Sequence, residues 1–446
     1  MKNNINKLIK PILIAMMLVV AVSPTVQAAI SKDGKTEQTI DLVQAVQIAV
    51  ARHPSVLAAG QTVQQYGGEV AAAKSGKNFQ FNFGLKASNE RGYSNNSKQS
   101  TSAVVSVNKM LYDFGKTDSE VAYAKAREQH AFASYSNRIE AIALLSASAY
   151  LDVLRYQQQL AETEKQLAAI EHILYIVDLR AQAGISSYAD VVQVKARLAS
   201  AEANLTSVKT QLWQQENRLN LYLGFRPTSL QPIDTTLFQK EEATAVDFTQ
   251  MPDYEEAVAE VNAAKTNYKA LKAQSYPALA LQGEVGKALD GRPSSYDKDG
   301  QYRAVYLTLN EPLGGSGIHE RTGAAQNSLA AAEQQLEAVV LEKNIVLANY
   351  LEQVTGYKSM LAFIAAQTTH TKLTKELYLD QYMLGKRSIL DLLNVEQELY
   401  QTAVQRNQLN FDILKTLLTY QKECGQLRTI FDLAVSEKSK ESEAQE

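Results

Sequence analysis

Between Thr117 and Ala183 the chain runs for 67 residues without a proline or a glycine. At 1.5 Å of rise per residue, an unbroken helix of that length is a rod of about 100 Å. The mean helix of a globular protein has only ~11–12 residues, so the stretch predicts a bundle or coiled coil. Leu144, Ala147, Leu151 and Leu154 follow a 3, 4, 3 spacing, as do Leu167, Ile170, Leu174 and Val177. The phase slips between the two sets, so the seam is not one strict heptad.

Two flanking stretches have a matching sum. Asp41–Ala73 and Ser187–Leu223 hold 33 and 37 residues. Stacked end to end they reach the length of the long rod, with Pro54 marking a kink or short break in the first. The turn at Gly184 then lies at one tip of a long hairpin.

The plan is written twice. AGISSYADVVQVKARL (183 onward, with Gly184 and Asp190) is echoed by LGKRSILDLLNVEQEL, where Gly385 and Asp391 each lie 201 residues later. Gly224 answers Gly425 at the same offset, Gly115 answers Gly315 at 200, and Pro54 answers Pro252 at 198. A period near 200 is too long for a solenoid unit and reads as duplication of a domain-sized piece. The expected division is a leader (1–28), a first repeat (29–226), a linker (227–251), a second repeat (252–426) and a final segment (427–446). In the first repeat a hairpin falls at 79–114, a long helix at 117–183 and a return helix at 187–223. In the second the hairpin falls at 278–313, the long helix at 322–384 and the return helix at 387–424. Gly184 and Gly385 permit the chain reversals without a Cβ clash.

The hairpins carry a period of two. Phe79, Phe81, Phe83 and Leu85 alternate with Gln80, Asn82 and Lys86, and Val305, Leu307 and Leu309 alternate with Tyr306, Thr308 and Asn310. Four strands of about ten residues are either half of a soluble sandwich or membrane strands, which need ~9–11 residues. In a bilayer sheet edges are forbidden, and the smallest closed barrel has ~8 strands, so membrane strands would have to be pooled between copies. Tyr112, Phe114, Tyr276 and Tyr302, near strand ends, fit interfacial girdles.

Lys2, Lys7 and Lys10 precede an apolar run, Ile12–Val22, and Val26-Gln27-Ala28 resembles a cleavage site. That is an export signal, ending after Ala28. Its removal takes three lysines from the 45 Lys and Arg and nothing from the 48 Asp and Glu, leaving a formal charge of −6. Such a balance gives no sign of a nucleic-acid partner. Cys424, the only cysteine, forms no internal disulfide and reads as a small apolar residue near a helix end. The five histidines, at 53, 130, 172, 319 and 370, show no metal-ligand spacing, and GxSxG and Walker A are absent. No enzyme and no cofactor is expected.

The set LYDFGKT, AGISSYADVVQVKARL, PLGGSG and YMLGKRSILDLLNVEQELY at constant offset resembles the TolC family of bacterial outer-membrane factors, over about Thr39 to Gln426. The resemblance implies a mainly α fold with a transmembrane β part. Three copies would share a 12-stranded barrel and a periplasmic tunnel of helical rods, with 227–251 and 428–433 as a belt. It implies a periplasmic gate in which Tyr382 and Arg387 bond Asp190 while Asp391 forms an inward ring of three carboxylates. Asn394 stands where members carry a second acid, which brings strong cation selectivity into question. Hinge glycines would be Gly184, Gly385, Gly115 and Gly315. The implied partners are a periplasmic adaptor, an inner-membrane ABC transporter or proton-driven pump, and outer-membrane lipid. Type I secretion of an adhesin or RTX-like protein is the expected task, with small-molecule efflux the alternative. A periplasmic helical adaptor without a barrel is the rival from another class.

Overall fold

The structure is a computed structural model that describes residues 39–91, 97–233, 248–291, 293, 295–311 and 317–433. The expected leader, residues 234–247 of the linker, Gly315 and residues 434–446 of the final segment lie outside the described residues.

After a two-residue strand β1 (Thr39–Ile40) come α1 (Leu42–Arg52) and α2 (Pro54–Ser75). Pro54 separates them by holding His53 extended, at φ −65° and ψ 123°. The hairpin β2 (Gln80–Arg91) and β3 (Ser97–Tyr112) leads to α3 (Lys116–Gln182) and α4 (Tyr188–Leu223). A short β4 (Ser229–Leu230) and a 3-10 turn (Phe248–Gln250) precede α5 (Pro252–Ala273). The order then recurs: β5 (Ala278–Asp290), β6 (Gln301–Asn310), α6 (Ile318–Met383), α7 (Ile389–Glu423) and a final short α8 (Leu427–Ile430). The second long helix begins four residues earlier than the sequence pattern indicates, because Gly317 at φ 63° supplies the turn into it.

α3 and α6, of 67 and 66 residues, are the two rods. α2 lies against the first part of α3, where Gly60 faces Tyr135 and Glu69 pairs with Arg127 at 3.3 Å. α4 lies against the rest, so the two shorter helices divide the length of the long one.

Apolar burial is concentrated in two clusters. The first sits where α1, α3, α4, α7 and α8 meet, around Ala45, Ile142, Leu151, Leu223, Leu418 and Phe431. The buried Tyr150 hydroxyl donates into it, to the Ile40 carbonyl (3.0 Å) or the Gln231 carbonyl (2.7 Å), tying β1 and the segment after β4 to α3. Glu140, fully buried, accepts from the Leu427 and Arg428 backbone N–H groups at 3.2 and 3.1 Å and so caps α8. Burial raises its pKa above the ordinary value despite those bonds and the Arg428 guanidinium. The second cluster lies at the helix tips. Between the clusters α3 and α7 meet through polar side chains, with Gln166–Gln397 at 2.9 Å, Thr163–Tyr400 at 3.0 Å and Asn407 on the Arg155 carbonyl at 3.0 Å.

The four long strands form one antiparallel sheet, ordered β2-β3-β5-β6. The register lines up Phe83 with Val105, Val105 with Val285, Leu281 with Leu307 and Leu279 with Leu309. Residues directly opposite share a face, so one face is apolar across all four strands. It is bare: Phe83 is 73% exposed and Val305 75%. The other face carries Asn82, Ser106, Glu284 and Ala304 in one row and Gln80, Asn108, Gln282 and Tyr306 in the next. Tyr302 pairs with Gly286 on this polar face, so it is no part of an apolar-face girdle. Tyr112 is brought to the apolar face by a register shift after Met110 that sets it beside Leu279, with Phe114 edge-on at 4.7 Å. β2 and β6 each have one edge without a partner strand among the described residues. No described helix is long and apolar enough to cross a membrane.

Candidate functional site

The helix tips are built by two similar turns. Gly184 and Gly385 both sit at φ 73°, in the left-handed region. Each closes its rod with the bonds of a Schellman turn: Ile185 N–H reaches the Arg180 carbonyl at 2.8 Å, and Lys386 N–H the Gln381 carbonyl at 2.9 Å. Ser187 and Ser388 then cap the return helices through their hydroxyls.

Behind the turns lies the second apolar cluster, where Val177, Val191 and Val194 of the first pair meet Tyr382, Leu392 and Leu393 of the second. Tyr382 is only 4% exposed. Its hydroxyl lies 3.3 Å from Ser186 Oγ, and the Arg180 guanidinium stands 5.1 Å from its ring centroid. Arg180 also donates to the Met383 carbonyl at 2.8 Å, so one arginine bridges the tips of α3 and α6. Sequence reasoning missed Arg180 and Ser186. The signal was available at Ser186, which aligns with Arg387 between the shared Gly184/Gly385 and Ser187/Ser388: a departure from the repeat there marks a site where the two tips have different work.

The second tip has its own knot. Arg387 stacks on Tyr378 at 3.9 Å and lies 3.7 Å from Asp391. Its Nε is buried and has no hydrogen-bond partner among the described residues. Asp391 and Ser388 exchange bonds, the Asp391 N–H donating to Ser388 Oγ at 3.2 Å and that hydroxyl donating to Asp391 Oδ2 at 2.9 Å. Asp391 is thus a helix N-terminal acid, stabilised by the helix dipole. Asn394 Oδ1 accepts from Arg197 at 3.3 Å, linking α7 to α4. Asp190 is half-buried in the first turn of α4. Among the described residues its carboxylate bonds neither Tyr382 nor Arg387 within one chain. Tyr382 is served instead by Ser186 and Arg180, because Tyr382 is drawn into the apolar cluster.

At the opposite end, Gly115 (φ 83°) follows Phe114 (φ 53°) in the turn from β3 into α3. Asp113 holds this turn by accepting from Gly115 N–H at 3.2 Å and Thr117 N–H at 2.8 Å. Burial pushes its pKa up, but the Thr117 and Gly115 bonds outweigh it and hold the carboxyl below the ordinary value. No group of three His, Cys, Asp or Glu side chains suited to a metal ion occurs among the described residues.

Rods of this length joined to an antiparallel sheet that is apolar on one face define the architecture of an outer-membrane channel subunit. The chain matches the outer membrane efflux protein family over residues 45–225 and 249–422, and it belongs to that family. It is an outer-membrane protein of the TolC type, with its helices in the periplasm. It is 24% identical over 320 residues to the outer membrane efflux protein BepC of Brucella suis, the match covering 70% of this chain and 69% of BepC. It is 23% identical to the pyoverdine export outer membrane protein OpmQ of Pseudomonas putida, over 63% of this chain and 60% of OpmQ. The fold is similar to that of the Campylobacter jejuni CmeC outer membrane channel, with a TM-score of 0.76, 14% identity, and coverage of 94% of this chain and 93% of CmeC. The family is one of channels rather than enzymes.

Proposed function

We propose that three copies of this chain form the outer-membrane duct of a tripartite exporter. The observation that carries this is the sheet itself: four strands with an exposed apolar face and two unpartnered edges. A lipid bilayer tolerates no open edge. β6 of one copy therefore pairs with β2 of the next, and three copies close a 12-stranded barrel. The polar face, with Asn82, Ser106, Glu284 and Tyr306, lines the bore. The two helix–hairpin–helix–helix units in each chain are duplicates, and the rods continue the duct through the periplasm.

The tips are its gate. The Arg387 guanidinium, part of a side chain that is 34% exposed, is open to a carboxylate from a neighbouring copy, and Asp190 is that carboxylate in this reading. Asp391 faces the narrowest point and Asn394 dilutes its charge. Exposed Ile185, Tyr188, Leu384 and Leu390 offer an apolar rim on which a periplasmic adaptor docks, and behind it works an ABC transporter or proton-driven pump. The polar contacts between α3 and α7 favour a moving gate, since each adds only ~0.5–1.5 kcal/mol net and remakes with water when broken.

The cargo this reading favours is small solutes, because BepC is named for efflux and OpmQ for pyoverdine export. Type I secretion of an adhesin or RTX-like protein predicts a large polypeptide missing from the medium of a deletion strain. Efflux predicts heightened sensitivity to toxic solutes and an unchanged medium. The gate is tested in planar bilayers. Arg387→Ala and Asp190→Ala raise single-channel conductance above wild type, and unchanged conductance in both removes the inter-copy pair from the account.

A further inference from the structure

The turn between β5 and β6 folds back over the polar face of the sheet. Asp297 Oδ1 accepts from the Asp299 and Gln301 N–H groups at 3.0 and 2.7 Å, and Lys287 Nζ donates to the Asp299 carbonyl at 2.7 Å. Asp297 N–H closes the turn on the Gln301 carbonyl at 2.8 Å. These bonds direct Tyr296 over the strands rather than away from them. Its ring stacks on Tyr302, with centroids 5.4 Å apart and planes at 18°. Its hydroxyl occupies the space a Cβ at position 286 would need, which Gly286 leaves open. The Tyr302 and Tyr306 hydroxyls are bonded to each other.

The register gives this cluster a centre. Gly286 pairs with Tyr302, Glu284 with Ala304, and Gln282 with Tyr306. Glu284 and the small Ala304 thus lie between the two tyrosine rows, with Tyr296 closing the side toward the loop. Aromatic faces attract cations through the ring quadrupole, most strongly when the cation is weakly hydrated. A carboxylate among tyrosine rings adds charge without a competing lysine or arginine in the same rows.

We propose that Tyr296, Tyr302, Tyr306 and Glu284 form a binding site for organic cations, of the quaternary ammonium class, inside the bore at the end of the barrel away from the helices. The site rests on the closed-barrel reading, which turns the polar face inward. Three copies make an aromatic collar that holds such cations briefly on their way out.

The test is block of single-channel current in planar bilayers by tetraethylammonium added at the barrel end. Wild-type channels show a saturable block. Tyr296→Ala raises the half-blocking concentration by about five- to tenfold. Gly286→Ala does the same by displacing Tyr296 from its seat, and Tyr296→Phe keeps the block because the ring remains. Wild-type pores that conduct normally and are not blocked overturn the site and leave the barrel standing. Equal block in wild type, Tyr296→Ala and Gly286→Ala also overturns it. Protein that inserts no conducting pore overturns the barrel and the site together.

Discussion

Tyr382→Ala should unfasten the tip of the second helix pair. The side chain is 4% exposed and packs among Val177, Val191, Leu392 and Leu393, and it receives Arg180 on its ring. Truncating a buried aromatic ring costs about 3–5 kcal/mol. At the lower end, because a tip relaxes more easily than a deep core, about 3 kcal/mol corresponds to a hundredfold rise in local opening. Amide hydrogen exchange of the purified protein reads this directly. Peptides covering 380–393 and 177–191 should exchange about a hundredfold faster, while those around Ala147 and Leu151 in the other cluster stay unchanged. Tyr382→Phe keeps the burial and loses only the 3.3 Å contact with Ser186, so its exchange should rise a few-fold. If the alanine and phenylalanine variants exchange alike, or if the effect spreads evenly to residues 140–155, the tip is not a separately opening unit.

Lys343, whose side chain is 8% exposed between Asp253 and Glu423, anchors α6 to α5 and α7. Lys343→Ala should lower stability by about 2–3 kcal/mol, below the ~3–5 of a fully buried pair because Asp253 is partly exposed and keeps Lys422; thermal denaturation checks it. Burial works against both charges, but Lys343 and Lys422 hold the Asp253 pKa below its ordinary value, and Asp253 and Glu423 hold that of Lys343 above its own. The stabilisation from Asp253 is therefore complete above its unfolded pKa and lost as pH falls through the lowered folded value. That from Lys343 is complete below its unfolded pKa and lost as pH rises through the raised one, so melting temperature should form a plateau that falls at both ends and flattens in Lys343→Ala. Gly385→Ala, at φ 73°, should destabilise the tip by about 1–2 kcal/mol, seen as faster exchange at 383–388. Val305→Arg puts a charge on the exposed apolar face of β6, which the proposed barrel turns to lipid, at a cost of about 2–4 kcal/mol, and should lower the amount of protein assembled in the outer membrane.

The first rod was readable because no glycine or proline interrupts it, and the spacing at Ala147, Leu151, Ile170 and Val177 falls on residues that the structure buries; the second, which carries Gly323 and Gly356, was readable through the repeat. The strands were readable because Phe81, Phe83 and Leu85 alternate with polar residues across a sheet that is wet, or lipid-covered, on separate faces. What escaped depends on contacts between distant segments. Nothing local to Arg180 announces that it will bridge to Met383, 203 residues away. The 16-residue length of β3 follows from staggered pairing with β2 over 97–108 and β5 over 101–112, and the face taken by Tyr112 from a register shift against β5, which period-two counting passes over. Tyr302 misled for a similar reason, since an aromatic residue near a strand end fits a girdle until pairing with Gly286 puts it on the other face. Asp190 is the remaining case: its expected partners depend on how copies meet.

The most direct measurement of the central claim is a cysteine cross-linking scan in a Cys424→Ser background. Phe81, Phe83 or Leu85 on β2 is combined with Val305, Leu307 or Leu309 on β6, each pair in one chain. If copies join edge to edge, one register of pairs yields disulfide-linked trimers in outer membranes, and the neighbouring registers do not. Mature protein recovered from the periplasm as a monomer, with no register giving linked copies, would contradict the account.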